Sequence, residues 1–229
     1  MDTRDGNEKA RDAILDAAEI HVPFDGWSEA TLRAAVRDSG VAPGLARALF
    51  PRGGVDLALA YHRRGDARML EKAAAADLDS LRYSQRVAAL IRFRLEAVED
   101  KELVRRGSTL FSLPQYASEG ARALWGTADR IWTALGDSSR DVNWYTKRAT
   151  LSAVYGATVL YWLGDDTPGH YATWEFLDRR IDDVLRFEKL KTDAQRNPLV
   201  RALTEGTRAV FRGVQAPTEA PDLPGRSHS

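Results

Sequence analysis

Ser28-Glu29-Ala30-Thr31-Leu32-Arg33-Ala34-Ala35-Val36-Arg37-Asp38-Ser39-Gly40-Val41-Ala42-Pro43-Gly44-Leu45-Ala46-Arg47-Ala48-Leu49-Phe50-Pro51 decides the fold. Ser28 is a good N-cap for a helix that ends near Gly40, a natural left-handed stop. Pro43-Gly44 then opens a second, short helix that closes at Phe50-Pro51. Gly40 makes the tight turn between the two, and Val41 and Phe50 pin the second helix to a core, which is the logic of a helix-turn-helix.

The same periodicity extends outward in both directions. From Lys9 to His21 the apolar Ala13, Ile14, Ala17, Ala18 and Ile20 recur at helical spacing, and a turn is expected at Pro23-Phe24-Asp25-Gly26-Trp27. Gly53-Gly54 precedes a helix through Val55, Leu57, Ala58 and Tyr61. Further helices are expected over Met69–Leu81, Gln85–Asp100, Leu103–Leu113 and Gln115–Leu135, the last started by Pro114. Asp141 or Asn143 caps a helix through Leu163, and Pro168 starts another through Trp174, Leu177, Ile181 and Leu185. No segment alternates with period two, so the fold class is all-α with nine or ten helices. Residues 8–62 form the helix-turn-helix unit of three helices, and residues 63–190 a larger helical ligand domain. The charged stretch 186–196 reads as a helix end plus linker. An amphipathic helix follows over 197–214, and residues 215–229, with Pro217, Pro221, Pro224 and Gly225, read as a disordered tail.

Composition narrows the chemistry. The 229 residues hold 33 Lys+Arg against 33 Asp+Glu and no cysteine, which excludes disulfides, thiolate metal sites and thiol nucleophiles. The polar N-terminus lacks the apolar core of a secretory signal. The most apolar stretch, Leu151–Leu163, is thirteen residues, short of the ~20 that span a bilayer. No nucleotide-cradle or nucleophile-elbow motif occurs. His21, His62, His170 and His228 have no second histidine at ligand spacing, so no metal or cofactor is expected and each of the first three reads as a surface or hydrogen-bonded residue. Asp165-Asp166 and Asp182-Asp183 read as solvated surface. No enzyme is expected.

Residues 10–60 resemble the DNA-binding half of the TetR-type repressors at Ile14-Leu15-x-x-Ala18, Phe24-x-Gly26-Trp27, Thr31-Leu32, Gly40-Val41-x-x-Gly44, Phe50-Pro51 and Leu57. The recognition helix departs from that pattern. It carries Ala42, Leu45, Arg47 and Leu49 where hydrogen-bonding residues are usual, and Gly53-Gly54 replaces a lysine. Phosphates and base edges need donors, and Arg47 and Arg52 are the evident ones. Arg33–Arg64 has a local excess of four positive charges, so DNA binding is weakened without being removed. A TetR-type ligand-responsive transcriptional regulator is the alternative reading.

A more specific run is Asp141-Val142-Asn143-Trp144-Tyr145-Thr146-Lys147-Arg148-Ala149. It resembles the Asp-x-Asn-Trp-Tyr-x-x-Arg-Ala stretch of the ubiquinone (coenzyme Q) biosynthesis accessory lipid-binding family, the ninth of the Coq proteins. The resemblance covers roughly residues 10–212, including Trp174-x-Phe176-Leu177-x-x-Arg180-Ile181. It implies a TetR-like fold, an isoprenoid quinone or precursor lipid bound in the ligand domain, and a ubiquinone-biosynthesis hydroxylase as partner. It also implies that Trp144 and Tyr145, with Asp141, Asn143 and Arg148, form the partner surface.

Periodicity leaves two readings of that surface. Trp144 falls on the stripe Leu151, Tyr155, Thr158 and Trp162, as a core residue would, with Arg148 close to the same line. Either a buried carboxylate pairs with Arg148, or the first turn shows Trp144, Tyr145 and Arg148 to solvent, where such residues are enriched in hot spots. Trp125, Ile131, Trp132, Val154, Tyr155 and Trp162 are the large apolar residues placed to line a lipid cavity, or else to fill a core. The terminal helix repeats Leu199, Val200, Leu203, Val210 and Phe211 opposite Arg201, Arg208 and Arg212, with a net charge of +2. Such a helix lies on a membrane surface or packs on protein; the resemblance favours the membrane. The expected protein is a non-catalytic homodimer that presents a ubiquinone precursor to a ring hydroxylase. It would be cytoplasmic and peripherally bound to the inner (cytoplasmic) membrane.

Overall fold

A computed structural model describes residues 3–196. Among them are nine α-helices and no strand: α1 Thr3–Asp25, α2 Glu29–Ser39, α3 Pro43–Leu49, α4 Gly54–Ala75, α5 Tyr83–Glu96, α6 Lys101–Ser112, α7 Ala117–Ala134, α8 Val142–Leu163 and α9 Tyr171–Arg196. The expected amphipathic helix 197–214, with Leu199, Val200, Leu203, Val210 and Phe211, and the expected tail 215–229 lie outside the described residues.

Local signals set the first three helices. The Ser28 hydroxyl accepts the Thr31 N–H at 3.2 Å, and Gly40 ends α2 at φ +66°. Pro43 opens α3, whose N-cap, Ala42, offers no side-chain acceptor. Ile14, Leu15, Ala18, Leu32, Phe50 and Leu57 close a compact core between α1, α2, α3 and α4. Phe50 is completely buried there, worth about 3 kcal/mol against an exposed ring.

A second core joins α4, α5, α7, α8 and α9 around Met69, Leu90, Ile91, Ile131, Leu151 and Leu177. Trp27 of the first core donates its indole N–H to the Leu103 carbonyl of α6 at 2.9 Å, and its ring lies 5.1 Å from that of Tyr61; the next residue of α6, Val104, packs against both cores. Gly54 lets α4 start directly against the Trp27 carbonyl; a Cβ there would collide with the Trp27–Ser28 backbone. The glycine pair that replaces a lysine is therefore a packing joint.

Four expectations need correction. α1 runs on through Pro23 to Asp25, because a proline in the last turn forfeits only one helical bond. The helices expected at Val55–Tyr61 and from Met69 are one, α4, so the boundary drawn at residues 62–63 falls inside a continuous helix. Pro168 opens a single 3-10 turn, and α9 starts at Tyr171. The expected linker up to residue 196 is helical, the end of α9.

Candidate functional site: an aromatic patch beside an apolar cavity

α8 begins at Asp141, whose carboxylate accepts the Asn143 backbone N–H at 3.0 Å and its side-chain amide at 2.9 Å. The expected partner residues Asp141 and Asn143 are exposed and spend their polar groups on this cap. One turn on, Trp144 and Tyr145 are half-buried with rings 4.8 Å apart, edge to face. Trp125 of α7 joins them, 5.9 Å from Trp144 and 6.4 Å from Tyr145. Expected as a cavity residue, Trp125 is instead the third ring of this surface cluster.

Arg148 is only 2% exposed, so the first of its two readings holds. Its Nε donates to Asp129 at 2.6 Å, and its Nη1 donates to Asp137 at 3.1 Å and to the Trp144 carbonyl at 3.2 Å. Its guanidinium lies 4.0 Å from the Trp144 ring centroid. Arg148 therefore supports the patch from beneath and does not reach its surface. Burial would raise the Asp137 carboxyl, but hydrogen bonds from Lys147, Ser139 and Arg148 outweigh it and hold the group at about 2.

Beside the patch, α4, α5, α6, α7 and α8 enclose a cavity of about 400 Å³, within the usual range for small-molecule sites. Its walls are apolar (Leu95, Val98, Val104, Phe111, Leu124, Val159), and its space comes from small residues: Gly107, Ala117, Gly120, Ala121 and Gly156. Of the six residues expected to line a lipid site, Tyr155 alone lines this cavity. Trp132 and Val154 line a second one of about 230 Å³ with Tyr83, Thr150, Leu151 and Ile181. Ile131 is completely buried in the core, and Trp162 is 4% exposed beneath Lys101. Large side chains fill space, so most of them mark the core.

A buried polar cluster borders the larger cavity, and the sequence reading missed it. Asp66 of α4 is fully buried and accepts from Arg94 Nε at 2.8 Å, Thr127 Oγ1 at 2.8 Å and Arg130 Nη1 at 3.3 Å. Arg94 crosses α4 at Gly65, where any Cβ would meet its guanidinium. His62 Nε2 lies 2.8 Å from Thr127 Oγ1 and 3.2 Å from the Ala123 carbonyl. Burial, then the Arg94 charge, lowers the His62 pKa to about 4, against the pull of Asp66. The signal available was the polar run His62-Arg63-Arg64-Gly65-Asp66 inside an otherwise core-facing helix.

The remaining titratable candidates are structural. His21 bonds Asp38 at 2.6 Å, and His170 packs edge-on to Trp162. Asp165, expected at the surface with Asp166, is 5% exposed; it accepts from both Thr167 and Thr173 and so fastens the start of α9. Asp166, Asp182 and Asp183 are exposed as expected. Among the described residues no three His, Asp or Glu side chains converge on a metal position, and no helix is long and apolar enough to cross a membrane.

Residues 117–188, which hold α7, α8 and most of α9, match the COQ9 family model. The chain is 31% identical over 193 residues to the mitochondrial ubiquinone biosynthesis protein COQ9 of Drosophila melanogaster, covering 81% of this chain and 58% of that one. It is 27% identical over 190 residues to the human protein of the same name, covering 79% of this chain and 59% of that one. The chain thus spans somewhat under two thirds of the length of these curated relatives. Among solved structures, a TetR transcriptional regulator from Nitrosomonas europaea superposes with a TM-score of 0.61 at 24% identity, covering 75% of this chain and 95% of that one. The resemblance read from the sequence is borne out by these matches: the chain is similar to the COQ9 proteins and has a TetR-like fold.

Proposed function

We propose that this protein is a non-catalytic accessory factor of ubiquinone biosynthesis. It takes an isoprenoid lipid, a ubiquinone precursor, into the 400 Å³ cavity and presents it to a ring hydroxylase docked on Trp125, Trp144 and Tyr145. The observation that carries this reading is an apolar cavity next to a preformed aromatic surface, in a chain similar to the COQ9 proteins over four-fifths of its length. Aromatic side chains held in place at a surface are what binding hot spots are made of. Residues 197–214 hold the chain on a membrane surface, on the cytoplasmic side of the inner membrane. The exposed Tyr161 of α8 and Tyr171 and Leu185 of α9 provide an apolar face for homodimerisation.

The regulator reading has less support. Its two evident phosphate donors are committed: Arg47 to Glu29 at 3.2 Å, and Arg52 to Asp56 at 2.7 Å and Glu119 at 3.2 Å.

Organic extraction of the purified protein followed by mass spectrometry tests the lipid reading. A prenylated lipid near one equivalent per chain is the expected result, and a lipid-free protein with an unoccupied cavity overturns it. Removing residues 197–229 is expected to abolish liposome flotation; unchanged flotation removes the membrane role of that segment.

A further inference from the structure

The cavity lining is graded from one end to the other. Ser112, Ala117, Ala121 and Leu160 are exposed and form its mouth, with Leu160 67% exposed. At the opposite, buried end stand Tyr61, His62, Arg94 and Tyr155. Tyr155 is 3% exposed and Arg94 4%.

The acceptors at this end are already taken. Both Asp66 oxygens receive donors from Arg94, Thr127 and Arg130. Arg94 Nη2 donates to the His62 carbonyl at 3.0 Å. Thr127 gives its proton to Asp66, so His62 Nε2 donates to Thr127 Oγ1 and the Ala123 carbonyl, which places its proton on Nε2. Donors are what remain: the Tyr61 and Tyr155 hydroxyls hydrogen-bond to none of the described residues, although both rings are buried and both line the cavity. Among the described residues Arg106 Nε is the one buried side-chain polar atom without a hydrogen-bond partner, so these two hydroxyls reach the cavity space although their rings are buried, and they are free to donate to an outside acceptor there. That acceptor is uncharged, because Arg94, the one lysine or arginine lining the cavity, is paired with Asp66, and Arg130, which shares Asp66, is 41% exposed to solvent and does not line the cavity.

We propose that the inner end of the cavity is a head-group subsite in which Tyr61 and Tyr155 donate to a neutral ring oxygen, a quinone carbonyl or phenol, while the ligand's apolar tail runs out past Leu160. This rests on the lipid-binding reading of the cavity and adds to it an orientation, ring inward and chain outward. The ring is shielded from solvent in the free protein. The mouth, at Ala121 and Ala117, lies one and two helical turns along α7 from Trp125, so a partner docked on the aromatic patch sits beside the exit.

The test uses the delipidated full chain and displacement of the neutral fluorescent probe N-phenyl-1-naphthylamine. A decyl-substituted dimethoxy-methyl-benzoquinone is compared with decylbenzene, which has the same tail and no oxygen. The wild type is expected to prefer the quinone by about tenfold, the yield of two modest hydrogen bonds. Tyr61→Phe with Tyr155→Phe is expected to bring the preference close to parity while leaving decylbenzene displacement unchanged; Tyr155→Phe alone is expected to fall between. Equal binding of the two ligands by the wild type, or an undiminished preference in the double variant, overturns the inward orientation and leaves the apolar cavity standing. Failure of probe and both ligands to bind at all overturns the cavity reading, and the subsite with it.

Discussion

The Arg148 guanidinium lies 4.0 Å from the centre of the Trp144 ring while its other edge is fixed to Asp129 and Asp137. A cation against an aromatic face is attractive, more so when shielded from water. The position of the Trp144 ring therefore depends on a residue that no partner can touch.

Arg148→Leu leaves Asp137, whose side chain is 2% exposed, with Lys147 as its remaining ion-pair partner. Removing one member of a buried pair costs about 3–5 kcal/mol, which in a chain of this size lowers Tm by roughly 6–20 °C. Calorimetry checks it, and a variant that melts with the wild type would show that the network is incidental. Arg148→Lys is expected to lose less, because it keeps the charge and gives up the fork.

Trp125→Ala removes a ring that contacts Trp144 and Tyr145 without touching the buried ion pairs. It is expected to weaken hydroxylase binding at least ~tenfold, as loss of a hot-spot tryptophan does, with a small change in Tm. Surface plasmon resonance against the immobilised hydroxylase reads the first quantity and thermal melting the second. Wild-type affinity in a folded Trp125→Ala protein would move the docking surface elsewhere.

His62 gives stability an acid limb. Folded, it is held at about 4; unfolded, it titrates near 6.5. As pH falls the unfolded chain takes up this proton first, so the contribution is complete above ~6.5 and drains away on the way down to about 4, by about 3 kcal/mol at most. Asp137, held at about 2 against 3.8, adds a second loss that begins only below ~3.8. Urea midpoints between pH 7.5 and 4.5 are expected to fall in the wild type and to flatten in His62→Gln. Parallel curves would mean that His62 does not carry this limb.

Two glycines predict different costs from different physics. Gly40→Ala forces a Cβ into the left-handed region at φ +66° with open space around it, a cost of about 1 kcal/mol. Gly54→Ala drives a Cβ into the Trp27–Ser28 backbone, which cannot swing aside, and is expected to cost more, about 1–3 kcal/mol or above. Denaturant titration of both variants ranks them, and the reverse order would contradict the joint described at Trp27.

What the sequence revealed follows the range of each interaction. The Ser28 cap, the Gly40 stop and the Pro43 start were legible because capping is settled within four residues. The need for a partner to Arg148 was legible too; its identity was not, since Asp129 and Asp137 lie 19 and 11 residues away. The continuity of α4 was hidden for the same reason. His62–Asp66 looks like an interruption until α5 supplies Arg94 and α7 supplies Thr127, 28 and 61 residues further on. The cavity failed differently. Large apolar residues were expected to line it, yet Ile131 and Trp162 fill the core, while Gly107, Gly120 and Gly156 leave the room. A void is written in the side chains a sequence omits, and hydrophobic periodicity does not register omissions.

Gly65 shows what such an omission entails across a family of sequences. Its backbone is ordinary helix, and on its own an alanine there would be the better helix former. The glycine is the imprint of the arginine that lies across it, so positions 65 and 94 are bound to drift together. A relative that trades Arg94 for a smaller side chain is released to carry a bulkier residue at 65, whereas one that keeps the arginine is held to glycine. A pairwise signature of this kind would trace the buried cluster through divergent relatives without a ligand ever being seen.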